Sequence, residues 1–254
     1  MEVDFKELVV NEFSGKNAQL LYIKKAKEGL WDSESYFFKQ YFTKKKASIL
    51  DIGCGTGRTT IPLVKKGFTV VGIDITPAMI SNAKNIAKKN KLRIDYRVGD
   101  ATRLAFENES FDYALFSNQG WTQIPGKKNR LSALTEVCRI LKPQGMYIFT
   151  AHIRKWTSKY FFFYLKQWMR FYLLKPLGFP IEEIEFGDRL FERPAADPKE
   201  AAASKQYIHI PAKKEVMRSI QKSGFEILEV NGSMQRSYSR PSKDLPTFFI
   251  CRKK

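Results

Sequence analysis

Histidine, cysteine and acidic side chains are scarce in this chain. Among 254 residues there are two histidines and three cysteines, and 26 acidic residues face 44 lysines and arginines, for a formal net charge of +18. Cys54, Cys138 and Cys251 are scattered over segments that read as loop, helix and strand. Their spacing forms neither a zinc-ligand pattern nor a disulfide framework, which points to a reducing compartment and no metal site. Long apolar runs are lacking as well. The densest, Phe161 to Leu165, is stopped by Lys166, far short of a membrane span. The opening Met1-Glu-Val-Asp-Phe-Lys-Glu7 has neither the basic start nor the apolar centre of a signal peptide. The expectation is a soluble cytoplasmic protein.

What the chain does have is size, aromatic content and positive charge. Its length suits one well-buried α/β domain with an appendage. A charge of +18 implies either a polyanionic partner (nucleic acid or an anionic membrane) or a lysine-rich solvated surface. Lysine outnumbers arginine by 30 to 14, whereas readers of phosphate and bases favour the bidentate arginine fork. Both readings stay open.

From Ala47 onward strand and helix patterns alternate, the signature of a parallel sheet flanked by helices. Strands are predicted at Ala47–Asp51, Thr69–Asp74, Ile94–Val98, Tyr113–Phe116 and Met146–Thr150, with helices at Thr59–Lys66, Pro77–Asn90 and Arg130–Leu141 between them. The alternation breaks over 153–211 and resumes with a helix at Ala212–Lys222 and strands near Phe225–Val230 and Thr247–Cys251. Four segments result: an N-terminal helical segment (1–46), a core (47–152), a cap or lid insertion (153–211) and a C-terminal completion of the sheet (212–254).

The richest motif is Ser48-Ile-Leu-Asp-Ile-Gly-Cys-Gly-Thr-Gly57. An apolar strand ends near Asp51 and turns through three glycines into a helix, whose unpaired N–H groups face whatever occupies the loop. A dinucleotide fingerprint would read G-x-G-x-x-G, but Arg58 stands where its third glycine belongs. Three further features follow in order: Val71-Gly-Ile-Asp74 with Ile75-Thr-Pro-Ala-Met79, then Gly99-Asp-Ala101 leading to Phe111–Ser117, then Glu136–Gly145. Together these resemble a class I S-adenosylmethionine-dependent methyltransferase, of the broad type that includes ubiquinone and menaquinone biosynthesis methyltransferases.

The resemblance implies a Rossmann-like α/β sheet with helices on both faces, S-adenosylmethionine as cofactor and S-adenosylhomocysteine as product. It puts the cofactor on Asp51, Gly53, Cys54, Gly55 and Gly57, with Asp74 taking both ribose hydroxyls through its two acceptor oxygens. Asp100 and Ala101 would meet the adenine edge, Ile75, Met79 and Leu104 its faces, and Ser117 and Asn118 would line the floor. His152 follows the fifth strand and His209 lies where the insertion rejoins the core, so these two lead the candidate general bases, ahead of Tyr22 and Tyr36 in the N-terminal segment. The loop after the fourth strand, Ser117-Asn-Gln-Gly-Trp121, lacks the Pro-Pro-aromatic motif of exocyclic base methylation. A small hydrophobic or aromatic acceptor is therefore expected, with an RNA methyltransferase or a non-catalytic binder of S-adenosylmethionine as alternatives. The insertion is the expected seat of specificity. Residues 153–180 hold ten aromatics, six lysines or arginines and no acid, suited to a packed lid, a lipid interface through 155–175, or a stacking surface for RNA.

Overall fold

The computed structural model describes residues 4–193, 204–242 and 244–254. Five parallel strands form its centre: β1 (Ser48–Ile52), β2 (Thr69–Asp74), β3 (Asp95–Val98), β4 (Phe111–Phe116) and β5 (Leu141–Ala151). Two more, β8 (Phe225–Asn231) and β9 (Thr247–Lys253), extend the sheet in the order β3-β2-β1-β4-β5-β9-β8. β9 runs antiparallel to both neighbours and covers the β5 edge with a full six-residue register from Met146–Arg252 to Ala151–Thr247. The sequence places the parallel strands correctly but starts the fifth too late. Lys142-Pro-Gln-Gly145 is not a break: β5 begins at Leu141, pairs with Phe111, and shifts register before Tyr113 meets Met146.

Both faces of the sheet are buried, which explains why its strands read as near-continuous apolar runs. Leu50, Ile52, Ala114 and Phe116 pack against Leu134 and Val137 of α6 (Lys127–Ile140) and Val216 and Ile220 of α8 (Lys213–Lys222). The alternate residues Ile49, Tyr113, Leu115 and Ile148 meet Phe37 and Phe38 of α3 (Asp32–Tyr41) and Leu63 of α4 (Thr60–Lys65). On α5 (Pro77–Lys89), Ile80, Ala83 and Ala87 close around Cys54 and Tyr96.

Two elements before the core turn out to matter most for the site. α1 (Phe5–Ser14) starts on Asp4, whose carboxylate accepts the N–H groups of Lys6 and Glu7 at 2.9 and 3.1 Å. It breaks at Gly15 into α2 (Lys16–Ala26). The insertion contains α7 (Ser158–Met169), a π turn at Arg170–Leu174, a 3-10 turn at Lys175–Leu177, and a hairpin of β6 (Asp188–Arg193) and β7 (Ser204–His209) that the sequence pattern does not announce. Tyr207 on that hairpin packs edge-on against Phe5 of α1, ring centroids 5.2 Å apart. The insertion is thus fastened to the N-terminal segment, and none of its described residues lines the cavity described next.

Candidate cofactor-binding site

Parallel order reverses between β1 and β4, and ligands of open α/β sheets bind at the carboxyl ends of the strands beside that switch point. A mainly apolar cavity opens there. Its floor is Ile52, Gly53 and Gly55 after β1, Asp74 and Ile75 at the end of β2, Asp100 and Ala101 after β3, and Phe116, Ser117 and Asn118 at the end of β4. Met79 forms part of one wall, and Ile124, Pro125 and Asn129 form another. The roof is N-terminal: Lys6, Val9 and Phe13 of α1 and Tyr22 of α2.

The glycine loop is built for close approach. Gly53 holds φ +61°, and a Cβ there would lie 2.5 Å from the Phe116 ring. Asp74 ties the loop to α5, its carboxylate accepting the Gly55 and Thr76 N–H groups at 2.9 Å each. Burial nevertheless raises its pKa, outweighing those two donors. After β4, Asn118 and Gln119 are both left-handed at φ 50° and 57°. Gln119 is held so by its own N–H donating to Thr150 Oγ1 at 2.8 Å, and the chain after it supplies the Ile124–Pro125 wall.

Several expected site residues stand elsewhere. Asp51 is buried under the loop and not on the cavity, with Thr59 and Thr60 hydroxyls donating to its Oδ2 at 2.6 Å each and Oδ1 unpartnered. Burial pushes its pKa up to about 6, against the lowering effect of the two threonines. The Cys54 side chain turns into the α5 cluster. Gly57 leaves room for a core side chain, since a Cβ there would lie 2.4 Å from the Tyr96 hydroxyl. Leu104 belongs to the core, and its N–H donates to Glu136 at 2.8 Å. Ser117 does line the cavity floor, although its hydroxyl donates to Glu34.

Asp100 reaches the cavity with both oxygens already engaged. Oδ1 accepts from Thr102 N and Oγ1 at 2.8 Å each, and Oδ2 pairs with Lys6 Nζ at 2.7 Å. Burial alone would raise its pKa, but the Lys6 and Thr102 donors hold it below the usual carboxylate range.

Neither histidine lines the cavity. His152 is pushed down to about 4 by burial and the nearby Arg236, so it is neutral near pH 7. His209 is fully buried between two carboxylates: Nδ1 lies 2.7 Å from Asp188 and Nε2 3.2 Å from Glu215. That arrangement fastens the hairpin to α8. Glu185, Asp188 and His209 converge closely enough to suggest a metal centre, but the Arg130 guanidinium sits in the group, 2.9 Å from Glu185. Asp188 is also fully occupied by Tyr207 and the Ile184 and Glu185 N–H groups, so the cluster is a buried ion network.

N-terminal helices capping the core are expected from the sequence, but the ion pair that ties the glycine loop to that segment is not. Glu34, wholly buried, caps α3 through the Trp31 N–H at 2.8 Å and takes a bidentate Arg58 at 2.7 Å on both oxygens. Arg58 also stacks on Trp31, 4.4 Å from the ring centroid. Arg58, the residue that spoils a dinucleotide fingerprint, thereby couples the glycine loop to the N-terminal segment. Nothing in local sequence pairs two residues 24 positions apart.

The fold and its cavity define a Rossmann-like cofactor domain. Residues 49–145 match the family described as "Methyltransferase domain". The ubiquinone biosynthesis O-methyltransferase of Bartonella tribocorum is 38% identical over 110 residues, 43% of each chain. A putative methyltransferase of Bacillus subtilis is 31% identical over 108 residues, 42% of this chain and 43% of the relative. The chain thus spans about two fifths of the length of these curated relatives. Among solved structures, a S-adenosylmethionine-dependent methyltransferase from Methanosarcina mazei is similar over 89% of this chain and 98% of its own, with TM-score 0.70 and 26% identity. The chain carries a class I S-adenosylmethionine-dependent methyltransferase domain.

Proposed function

We propose that this protein transfers a methyl group from S-adenosylmethionine to a small, hydrophobic or aromatic acceptor. The observation that carries the reading is the roofed, mainly apolar cavity at the switch point, in which, among the described residues, Lys6 is the one lysine or arginine and is already paired with Asp100. An RNA acceptor would need a basic track into the site, and among the described residues the cavity wall offers none.

The residues present fit the cofactor. The glycine at 53 leaves a cradle that a Cβ would close. Each Asp74 oxygen accepts one backbone N–H and retains a lone pair for a ribose hydroxyl. Ile75, Met79 and Ala101 supply an apolar wall for the adenine ring. An adenine amino group reaching Asp100 must share it with Lys6. When bound, the cofactor supplies an activated methyl group on a good leaving group. The chain's part is to orient it through Asp74 and the loop, and to exclude water beneath α1 and α2. Alignment and water exclusion supply much of the acceleration of such a displacement. With no histidine on the cavity wall, they carry more of it than proton transfer does.

Thermal unfolding with S-adenosylhomocysteine and, separately, NAD tests the cofactor. At a hundredfold excess over Kd the right ligand stabilises by about 2.7 kcal/mol, a rise of roughly 5–10 °C. Asp74→Ala should abolish that rise. A rise with NAD alone, or an undiminished response in Asp74→Ala, overturns the assignment. Tritium-methyl transfer to lipid, RNA, protein and small-molecule fractions of a lysate then tests the acceptor class, and labelling of RNA alone refutes the small-molecule reading.

A further inference from the structure

α7 presents its apolar side chains to solvent instead of burying them. Among the helix residues whose burial is described, only Tyr164 and Gln167 are buried. Gln167 is the tether, its amide nitrogen donating to the Asp188 carbonyl at 2.5 Å and its oxygen accepting the Gly187 N–H at 3.2 Å. Those partners belong to the hairpin that His209 and Glu215 fasten to the core, so the helix rides on a rigid support.

At 100° per residue, the face of α7 opposite Tyr164 and Gln167 presents the apolar Phe162, Leu165 and Met169, and Leu173 follows in the π turn. These are 77%, 38%, 46% and 49% exposed. Trp168 stands at the flank of that face, also exposed. Lys166, four residues after Phe162 and three before Met169, stands on that same face, so its ammonium rises from among the apolar side chains. Lys155, Lys166 and Lys175 are all exposed, and no acid occurs between residues 153 and 181. The first acids beyond are neutralised, Glu182 by Lys205 and Glu183 by Arg170, each at 2.8 Å.

We infer that α7 and the turn after it form a docking surface for an anionic lipid bilayer, with the apolar face entering the headgroup boundary and the lysines reaching the phosphates. Charge selects this occupant. A second copy would bring like-charged lysines against one another in a two-fold contact, on a chain of net charge +18. A nucleic acid would use the lysines and aromatic rings but would leave Leu165, Met169 and Leu173 against phosphate. An anionic bilayer satisfies both halves of the surface, because aliphatic and aromatic groups partition into the interface while lysine stems extend upward. No described helix is long and apolar enough to cross a membrane, so the helix lies in the interface plane. The inference is independent of methyl transfer and places the protein where an apolar acceptor would be dissolved.

The test is co-sedimentation of the whole chain with vesicles of phosphatidylcholine alone and of phosphatidylcholine with 30% phosphatidylglycerol, read beside tryptophan fluorescence. Binding is expected on the anionic vesicles, weakened by salt, with a blue shift contributed by Trp168. Each lysine is worth about fivefold in partitioning, so replacing Lys155, Lys166 and Lys175 together by alanine should lower binding about a hundredfold. Phe162→Asp should abolish the blue shift. Both variants should keep the parent's far-UV spectrum and its thermal response to S-adenosylhomocysteine, which separates this inference from the cofactor reading. Absence of pelleting at low salt overturns it. So does pelleting indifferent to both variants, or a dimer in solution that Phe162→Asp dissolves while vesicle binding persists.

Discussion

His209 offers the sharpest test of how the insertion is held. Its ring is wholly buried, and both nitrogens face carboxylates, Asp188 at 2.7 Å and Glu215 at 3.2 Å. Burial alone would depress its pKa, but the bonds to Asp188 and Glu215 outweigh it and raise the value above that of a free histidine. For a group whose folded pKa exceeds its unfolded value, stability is full below the unfolded pKa, about 6.5, and is lost as pH rises through the folded pKa. Removing one member of a buried charged set costs about 3–5 kcal/mol. His209→Gln should fall at the lower end. Asp188 keeps the Tyr207 hydroxyl and two backbone N–H groups, and Glu215 keeps Arg130 at 3.6 Å. A loss of about 3 kcal/mol lowers the unfolding midpoint by roughly 6–12 °C. Thermal melts followed by near-UV circular dichroism from pH 5.5 to 9 make the measurement. The parent's midpoint should decline toward alkaline pH, and the variant, already low at pH 6, should lack that decline. A variant within about 2 °C of the parent at pH 6, or one with the parent's alkaline slope, would refute a protonated His209 at the centre of the network.

Two further outcomes follow from the loop. Asp51, with a folded pKa of about 6 against about 3.9 unfolded, makes the native state less stable as pH rises from 4 to 6, by about 3 kcal/mol. Asp51→Asn should remove that slope in urea titrations, and a slope that persists assigns it to other carboxylates. Gly57→Ala puts a methyl group at φ +93° against the Tyr96 hydroxyl, and should lower stability by about 1–3 kcal/mol. Pairing it with Tyr96→Phe should recover part of the loss, and a double variant no better than the single would remove the hydroxyl as the cause.

The legible parts of this chain are those governed by near neighbours in sequence. Strand β2 and the start of α5 at Pro77 were readable because apolar runs and a proline at a helix start carry local signals. Asp74, Gly53 and Asn118 reach the cavity because each sits at a strand end whose position the alternation fixes. Asp51, Cys54 and Gly57 belong to the same motif yet serve the loop's support and the core. Motif membership places the backbone, whereas side-chain direction depends on what packs behind it, here Thr59, Thr60 and Tyr96. His152 and His209 were attractive as rare bases near strand ends, and the fold sets both away from the cavity.

By itself, the sequence determined the parallel sheet, the cradle and the class of cofactor domain, since these rest on periodicity and glycine spacing over a hundred contiguous residues. Only the tertiary structure decided which contacts hold the cover on the cradle and which way α7 faces. The roof comes from α1 and α2, held by Lys6–Asp100 and by the Thr56 hydroxyl donating to the Tyr22 carbonyl, pairings between residues far apart in the chain. The aromatic insertion, as apolar as any lid, faces outward. The hairpin beneath it offers burial to Tyr164 and Gln167 and leaves Phe161, Phe162, Phe163, Leu165, Trp168 and Met169 exposed.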